Sequence, residues 1–164
     1  MNGIVLRAPR PGDLGWVVHR HGVLYHREYG WGERFEALVA RVVADYVQHY
    51  DAAKEWAWIA ERGGEIVGSV FLTKAGDDTA KLRLLYVEPS ARGLGLGRLL
   101  VRTCIDGART RGYRRLELWT NAVLVAARAI YVAEGFSLVH REAHDLFGAR
   151  EIGETWALDL QAAQ

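Results

Sequence analysis

Residues 80–97, AKLRLLYVEPSARGLGLG, constrain this 164-residue chain more than any other stretch. Residues 82–87 are apolar apart from Arg83, and their Leu, Tyr and Val content, with Pro89 just beyond, predicts a short buried or half-buried strand. Arg92, Gly93, Leu94, Gly95, Leu96 and Gly97 follow, with glycine at three alternate positions. Past them Leu99, Leu100, Cys104, Ile105 and Ala108 recur at helical spacing. The order strand, glycine turn, helix brings three things to one point. These are the partnerless N–H groups of a helix start, its partial positive charge, and a backbone without Cβ atoms. Such a point suits phosphate or pyrophosphate, and Arg92 and Arg98 flank it with fixed positive charge.

Two common phosphate loops do not fit. A nucleoside-triphosphate loop requires G-x-x-x-x-G-K-[ST], and no lysine follows these glycines. A dinucleotide fold requires G-x-G-x-x-G opening a βαβ unit; here Gly97 falls one residue early and the strand lies in mid-chain. A glycine-rich connection with no ligand is the plain alternative. Arg92-x-x-Gly95-x-Gly97, however, resembles the pyrophosphate loop [Q/R]-x-x-G-x-[G/A] of the GNAT superfamily of N-acyltransferases, which use acetyl-CoA. The resemblance implies that the backbone of Leu85, Tyr86 and Val87 bonds the pantetheine arm. It also implies that amides within Gly93, Leu94, Gly95, Leu96, Gly97 and Arg98 hold the pyrophosphate.

Composition narrows the rest. Half the residues are apolar and a quarter charged, close to a soluble average, and the length suits a single domain over residues 1–164. The net charge is +1 and the pI about 7.9, whereas a nucleic-acid domain shows a pI above about 9 and a clustered basic face. Nucleic acid is therefore not expected as a partner. No apolar run approaches the roughly 20 residues that span a bilayer, and the start lacks a signal-peptide pattern. The expectation is a cytoplasmic protein without membrane contact. Cys104 is the only cysteine, so no intrachain disulfide can form; its apolar helical position reads as core. The six histidines include no H-E-x-x-H pair, and His140 and His144 fall in a predicted strand, so no metal site is expected. G-x-S-x-G is absent.

In chain order, residues 4–7 predict a strand and Pro11-Gly12-Asp13 a helix start, followed by Leu14, Val17, Val18, His21 and Leu24 at helical spacing. Residues 25–32, YHREYGWG, read as an aromatic surface loop lining a substrate mouth, with Tyr25, Glu28, Tyr29 and Trp31 as candidate acceptor contacts. From Phe35 to Tyr50 the apolar residues keep a continuous i, i+3, i+4, i+7 stripe. This predicts a core-facing helix with no chemistry of its own. Residues 56–62 and 65–73 predict two strands around Gly63-Gly64, a hairpin signal of the type I′ turn. Residues 114–120 predict a further strand, parallel to the central one because a helix joins them. Asn121 then suits the N-cap of a helix carrying Ala127 and Tyr131, and residues 136–144 and 154–160 predict two closing strands.

The expected fold class is α+β: about seven strands in a mixed, mostly antiparallel sheet, with about four helices. This agrees with the GNAT fold, whose central parallel pair splays to admit the pantetheine. Asn121, Ala127, Tyr131, Gly135 and Phe136 resemble that family's second motif at the right distance after the first. Val67 to Leu72, Leu118 to Asn121, residues 126–131 and residues 154–160 extend the likeness. They resemble the acetyltransferase domain found alone or fused behind MarR-type winged-helix regulators; no winged helix lies within the 164 residues.

The resemblance implies an N-acetyltransferase moving acetyl from acetyl-CoA to a primary amine, small-molecule or protein-borne, by direct attack. Tyr131 takes the place of the family's general acid. An oxyanion donor is expected on the strand near Tyr86 or Val87, and Asn121 either bonds the pantetheine amide or caps its helix. Glu28, Glu88 and His144 are the candidate bases, His144 also a candidate acceptor contact; in the superfamily a water chain can replace them. A non-catalytic acyl-CoA sensor is the rival reading. The aromatics near Trp31 and the closing strands are where a homodimer would form.

Overall fold

The short apolar runs pair into one seven-stranded sheet, and the helical stripes cover its two faces. The computed structural model describes residues 3–161. Its elements run β1 (Ile4–Arg7), α1 (Asp13–Tyr29), α2 (Glu33–Gln48), β2 (Trp56–Arg62), β3 (Glu65–Lys74) and β4 (Thr79–Val87). A single 3-10 turn (Pro89–Ala91) leads to α3 (Leu96–Thr110), β5 (Arg115–Asn121), α4 (Val125–Ala133), β6 (Ser137–His144) and β7 (Glu151–Asp159). The strand order is β1-β2-β3-β4-β5-β7-β6. Every neighbouring pair is antiparallel except β4 and β5, which are parallel, as the helix between them requires. Gly63 and Gly64 take φ of 61° and 82°, the left-handed pair that a two-residue hairpin needs.

The sheet separates two cores. On one face α3 and α4 bury Leu100, Cys104 and Tyr131 against Leu72, Leu82, Leu116 and Leu118. On the other, α1 and α2 bury Val17, Phe35, Val39 and Tyr46 against Ala57, Ile59 and Phe71. Alternation along β4 divides its side chains: Ala80 and Leu82 belong to the first core, while Arg83 lies opposite Phe71 of the second.

One irregularity in β4 shapes the middle of the molecule. Leu84 has φ of 52°, a left-handed conformation that costs a branched side chain energy. The β3–β4 register shifts between Ser69 and Phe71, and the Ser69 hydroxyl donates to the Leu84 carbonyl at 2.9 Å. This bulge bends β4. As a result β4 and β5 pair only at Thr79 with Arg115, Ala80 with Leu116 and Lys81 with Glu117. Beyond Lys81 the two strands diverge, opening a gap in the sheet.

Three local expectations are corrected. Residues 25–29 are the last turns of α1 rather than a loop, and Gly30 at φ 75° ends the helix. The aromatic stripe explains this, because Tyr25 stacks on Phe35 with ring centres 5.2 Å apart. Trp31 is only 3% exposed and donates from Nε1 to Glu151, so it offers no surface for a dimer. Asn121 closes β5 and does not cap α4, which starts at Val125 without a side-chain cap.

Candidate active site

A cavity of about 840 Å³ runs through the gap between β4 and β5 and opens to both faces of the sheet. Its lining on the α3/α4 side comes from Arg92, Gly93, Gly95, Leu96, Gly97 and Arg98, then Ala126, Ala127, Ile130 and Tyr131. Gly93 and Gly95 both have φ of 79°, and a Cβ at Gly93 would stand in open space, so it is the left-handed backbone that lets only glycine fit the turn without strain. No amide from Gly93 to Arg98 donates to a protein acceptor among the described residues, and the first bond of α3 runs from Leu99 N–H to the Gly95 carbonyl. Six N–H groups without a protein acceptor among the described residues and a helix start therefore lie on a stretch whose Gly93, Gly95, Leu96, Gly97 and Arg98 line one concavity, a setting that fits a pyrophosphate. Leu85 and Val87 line the gap itself.

The arginines that flank this cradle are already paired. Arg92 forms a two-pronged contact with Glu28 of α1, 2.8 Å at each prong. Arg98 bonds Glu134 at 2.6 Å. The hydrogen bond from Arg92 holds the Glu28 carboxyl below the usual carboxylate range, which makes it a poor base. Glu88 is bound by Arg20 at 2.6 Å and by the Tyr86 hydroxyl at 3.3 Å. His144 sits 2.7 Å from the Asn121 side-chain oxygen through Nε2 and accepts the Leu146 N–H on Nδ1. None of the three expected bases offers a free basic atom to the cavity.

Tyr131 is 4% exposed, packed by Phe136 and Trp156, and its hydroxyl makes no hydrogen bond among the described residues. Burial pushes its pKa well above the ordinary phenol value, with smaller contributions from Tyr25 and Cys104. The phenol therefore stays protonated. Tyr25, across the cavity, is raised in the same way, chiefly by burial.

On the α1/α2 side the lining is aromatic and aliphatic: Tyr25, Trp31, Phe35, Leu38, Val39 and Val42 above, and Leu84, Trp119, Leu124 and Phe147 below. His21 also lines it. Its Nδ1 lies 2.7 Å from the Val17 carbonyl, which can only accept, so Nδ1 carries the proton. Burial lowers the His21 pKa to about 4, which leaves the ring neutral with Nε2 as an acceptor.

Residues 23–136 match the model of the Acetyltransferase (GNAT) family. The chain belongs to the GNAT acetyltransferase family. Over 144 residues it is 34% identical to the mycothiol acetyltransferase of Sanguibacter keddieii, a match covering 82% of this chain and 44% of that protein. The chain spans half or less of the length of the curated relatives it matches first. The yncA protein of Salmonella typhimurium, solved with its cofactor acetyl-CoA, superposes with a TM-score of 0.76 at 21% identity, over 97% of this chain and 95% of that one. A Vibrio cholerae spermidine N-acetyltransferase, solved with CoA and spermine, superposes with a TM-score of 0.76 at 18% identity, over 98% of each chain. At such identities these likenesses establish the fold. The seven-stranded mixed sheet with its single parallel pair is the GNAT architecture expected from the sequence.

Within this GNAT chain, the expected site residues divide by position. Leu85, Val87, Arg92, Gly93, Gly95, Leu96, Gly97, Arg98, Asn121, Ala127 and Tyr131 line the cavity, as do Tyr25, Glu28, Tyr29 and Trp31. Tyr86 turns its side chain to α1, 4.9 Å from His21 ring to ring. Leu94 points to solvent at 46% exposure, and His144 stands behind Asn121. Sequence reasoning missed the α2 wall of Phe35, Leu38, Val39 and Val42, whose regular stripe looks like any core-facing helix. It also missed Trp119, Phe147 and Lys81. The one available signal was Arg83, a charge inside an apolar strand. Among the described residues there is no cluster of metal-ligating side chains, and no helix is long and apolar enough to cross a membrane.

Proposed function

We propose that the protein is an N-acetyltransferase that moves the acetyl group of acetyl-CoA to a primary amine by direct attack. The observation that carries this reading is the single cavity joining an amide-lined anion cradle to an apolar chamber through a gap in the sheet. The amides of Gly93 to Arg98 would hold the pyrophosphate, and the diverging edge of β4 at Leu85 to Val87 would take the pantetheine. Acetyl-CoA supplies an activated acyl group as a thioester. The amine nitrogen forms the new C–N bond, the C–S bond breaks, the sulfur takes up one proton and the amine nitrogen loses one.

The chain's own part is to align these groups. Alignment alone is worth up to about 7–11 kcal/mol of the barrier. Tyr131, whose proton burial holds in place, gives it to the departing sulfur. Its raised pKa makes the transfer steeper than the ordinary difference between a phenol at about 10 and a thiol at about 8.5. Yet the same burial raises the pKa of a thiol formed there, as it does for Cys104, so part of the difference cancels. The amine's proton leaves to water, since Glu28, Glu88 and His144 are all engaged, and Tyr131 takes a proton back from water to complete the cycle.

Calorimetric titration with acetyl-CoA, alongside desulpho-CoA and NAD, tests the reading. Acetyl-CoA should bind with a micromolar dissociation constant and NAD should not bind. Replacing Gly95 with valine should abolish binding while the far-ultraviolet spectrum stays unchanged. A folded sample that does not bind acetyl-CoA defeats both the enzyme and the sensor readings.

A further inference from the structure

The chamber on the α1/α2 side contains a charge that its walls do not explain. Those walls are Phe35, Leu38 and Val42 from α2, facing Trp119 and Phe147. Trp119 is held flat across β7, because a Cβ on Gly153 would lie 2.6 Å from its ring. Into this apolar space β4 sends Lys81 and Arg83, which share a face by strand alternation. Every other arginine lining the cavity has a carboxylate: Arg92 has Glu28 and Arg98 has Glu134. Arg83 has no ion pair and no hydrogen bond among the described residues. Neither has Lys81, whose neighbour across the ladder, Glu117, is engaged by Arg115 at 2.7 Å.

An arginine cannot shed its charge. Burial works against Arg83, and among the described residues the one offsetting charge is Asp45, an exposed residue of α2. A half-buried guanidinium with an empty five-donor fork is held at a cost that a matching anion removes. The planar fork matches the two oxygens of a carboxylate. A singly charged group suits a chamber whose second cation, Lys81, sits where the strands still pair. Arg83 stands two residues before Leu85 at the gap, with the Leu84 bulge between them, so the two are at most about 7 Å of strand apart. One small molecule can therefore place its amine at the gap and its anion on Arg83.

We propose that the acceptor is a small aromatic or apolar amino acid, its carboxylate bound by Arg83 with Lys81 in support and its side chain held between α2 and Trp119. The proposal rests on the acetyltransferase reading and adds the class of acceptor to it. The cavity of about 840 Å³ is of small-molecule size and must also admit the pantetheine arm.

The test compares L-phenylalanine and L-tryptophan with L-phenylalaninamide and L-tryptophanamide, following thiol release from acetyl-CoA by wild type, Arg83→Gln and Arg83→Lys. The amides have the less basic amine, so a preference for the acids cannot come from a larger share of neutral nucleophile. Wild type should favour the acids in kcat/KM by roughly 10- to 100-fold, the worth of a charge-assisted hydrogen bond. Arg83→Gln should erase that preference through the KM of the acids, Arg83→Lys should keep part of it, and the Kd of acetyl-CoA should not move. Equal or better turnover of the amides overturns the proposal. So does failure to acetylate either acid by a protein that binds acetyl-CoA, or an equal loss for acids and amides in Arg83→Gln. If Arg83→Gln does not fold, the comparison on wild type still decides. Absence of acetyl-CoA binding would instead remove the acetyltransferase reading, and this proposal with it.

Discussion

His21 shows how a single buried ring sets a pH dependence. It is 2% exposed, surrounded by Tyr25, Phe35 and Tyr86, and burial lowers its pKa from 6.5 to about 4. Below pH 6.5 the unfolded chain binds a proton at this residue that the folded chain refuses until about pH 4. The stability that the neutral ring confers is therefore complete above pH 6.5 and falls as the pH drops towards 4. The slope approaches about 1.4 kcal/mol per unit, or on the order of 3 kcal/mol over the window. Denaturant midpoints at pH 7, 6 and 5 should decline in wild type and decline less in His21→Phe; identical slopes would assign the effect elsewhere. Tyr131 belongs to the same scale but to another property. Its hydroxyl has no partner among the described residues, so Tyr131→Phe leaves no orphaned polar group and should keep wild-type stability and acetyl-CoA affinity. The kcat for the true acceptor should fall by about 100-fold or more if the hydroxyl is the proton donor. An unchanged kcat would give that role to water.

At the scale of elements, the close approach of β3, β4 and α3 holds the gap open. A Cβ on Gly68 would lie 2.7 Å from the Tyr86 carbonyl oxygen, 3.2 Å from Leu100 and 3.3 Å from Leu96. Gly68→Ala must therefore push β4 beyond its bulge, or the start of α3, or both. The expected result is a loss of about 1–3 kcal/mol in stability, with weaker acetyl-CoA binding because Leu85 to Val87 move. Gly76→Ala has open space around it and should change neither. The same scale marks the limit of what the sequence discloses. Strand, glycine turn and helix were legible at residues 80–97 because their signals are local: apolar runs, glycines, a change of period. The bulge was not legible, since Leu84 adopts a left-handed φ only because Ser69 holds its carbonyl and β3 changes register. The pairing of Arg92 with Glu28 was also hidden, because it joins residues 64 apart in sequence. Residues 25–29 misled for the opposite reason: their aromatic and charged mixture reads as loop locally, and stacking on Phe35 makes it helix.

At the scale of the whole molecule, the sheet is nearly two sheets. Strands β1 to β4 and strands β5, β7 and β6 meet through three register pairs, at Thr79, Ala80 and Lys81, with α3 and α4 closing one face. A ligand in the gap touches both halves, since Leu85 and Val87 belong to one and Leu118, Thr120 and Asn121 to the other. Binding there should act on the molecule as a unit as well as on the loop. By linkage, acetyl-CoA at 100 times its Kd should raise the unfolding free energy by about 2.7 kcal/mol, whichever half unfolds first in its absence. Amide hydrogen exchange separates this from a purely local effect. Protection confined to Gly93 through Arg98 would show that only the loop senses the ligand. The divided sheet leads to a different pattern: slowed exchange at the loop, along β4 after the bulge and along β5 up to Asn121, while the outer strands β1 and β6 slow only as far as global unfolding slows. The edge strand β6, exposed along most of its length, is the reference, because it lies outside the cavity and its exchange through local fraying does not respond to a ligand in the gap.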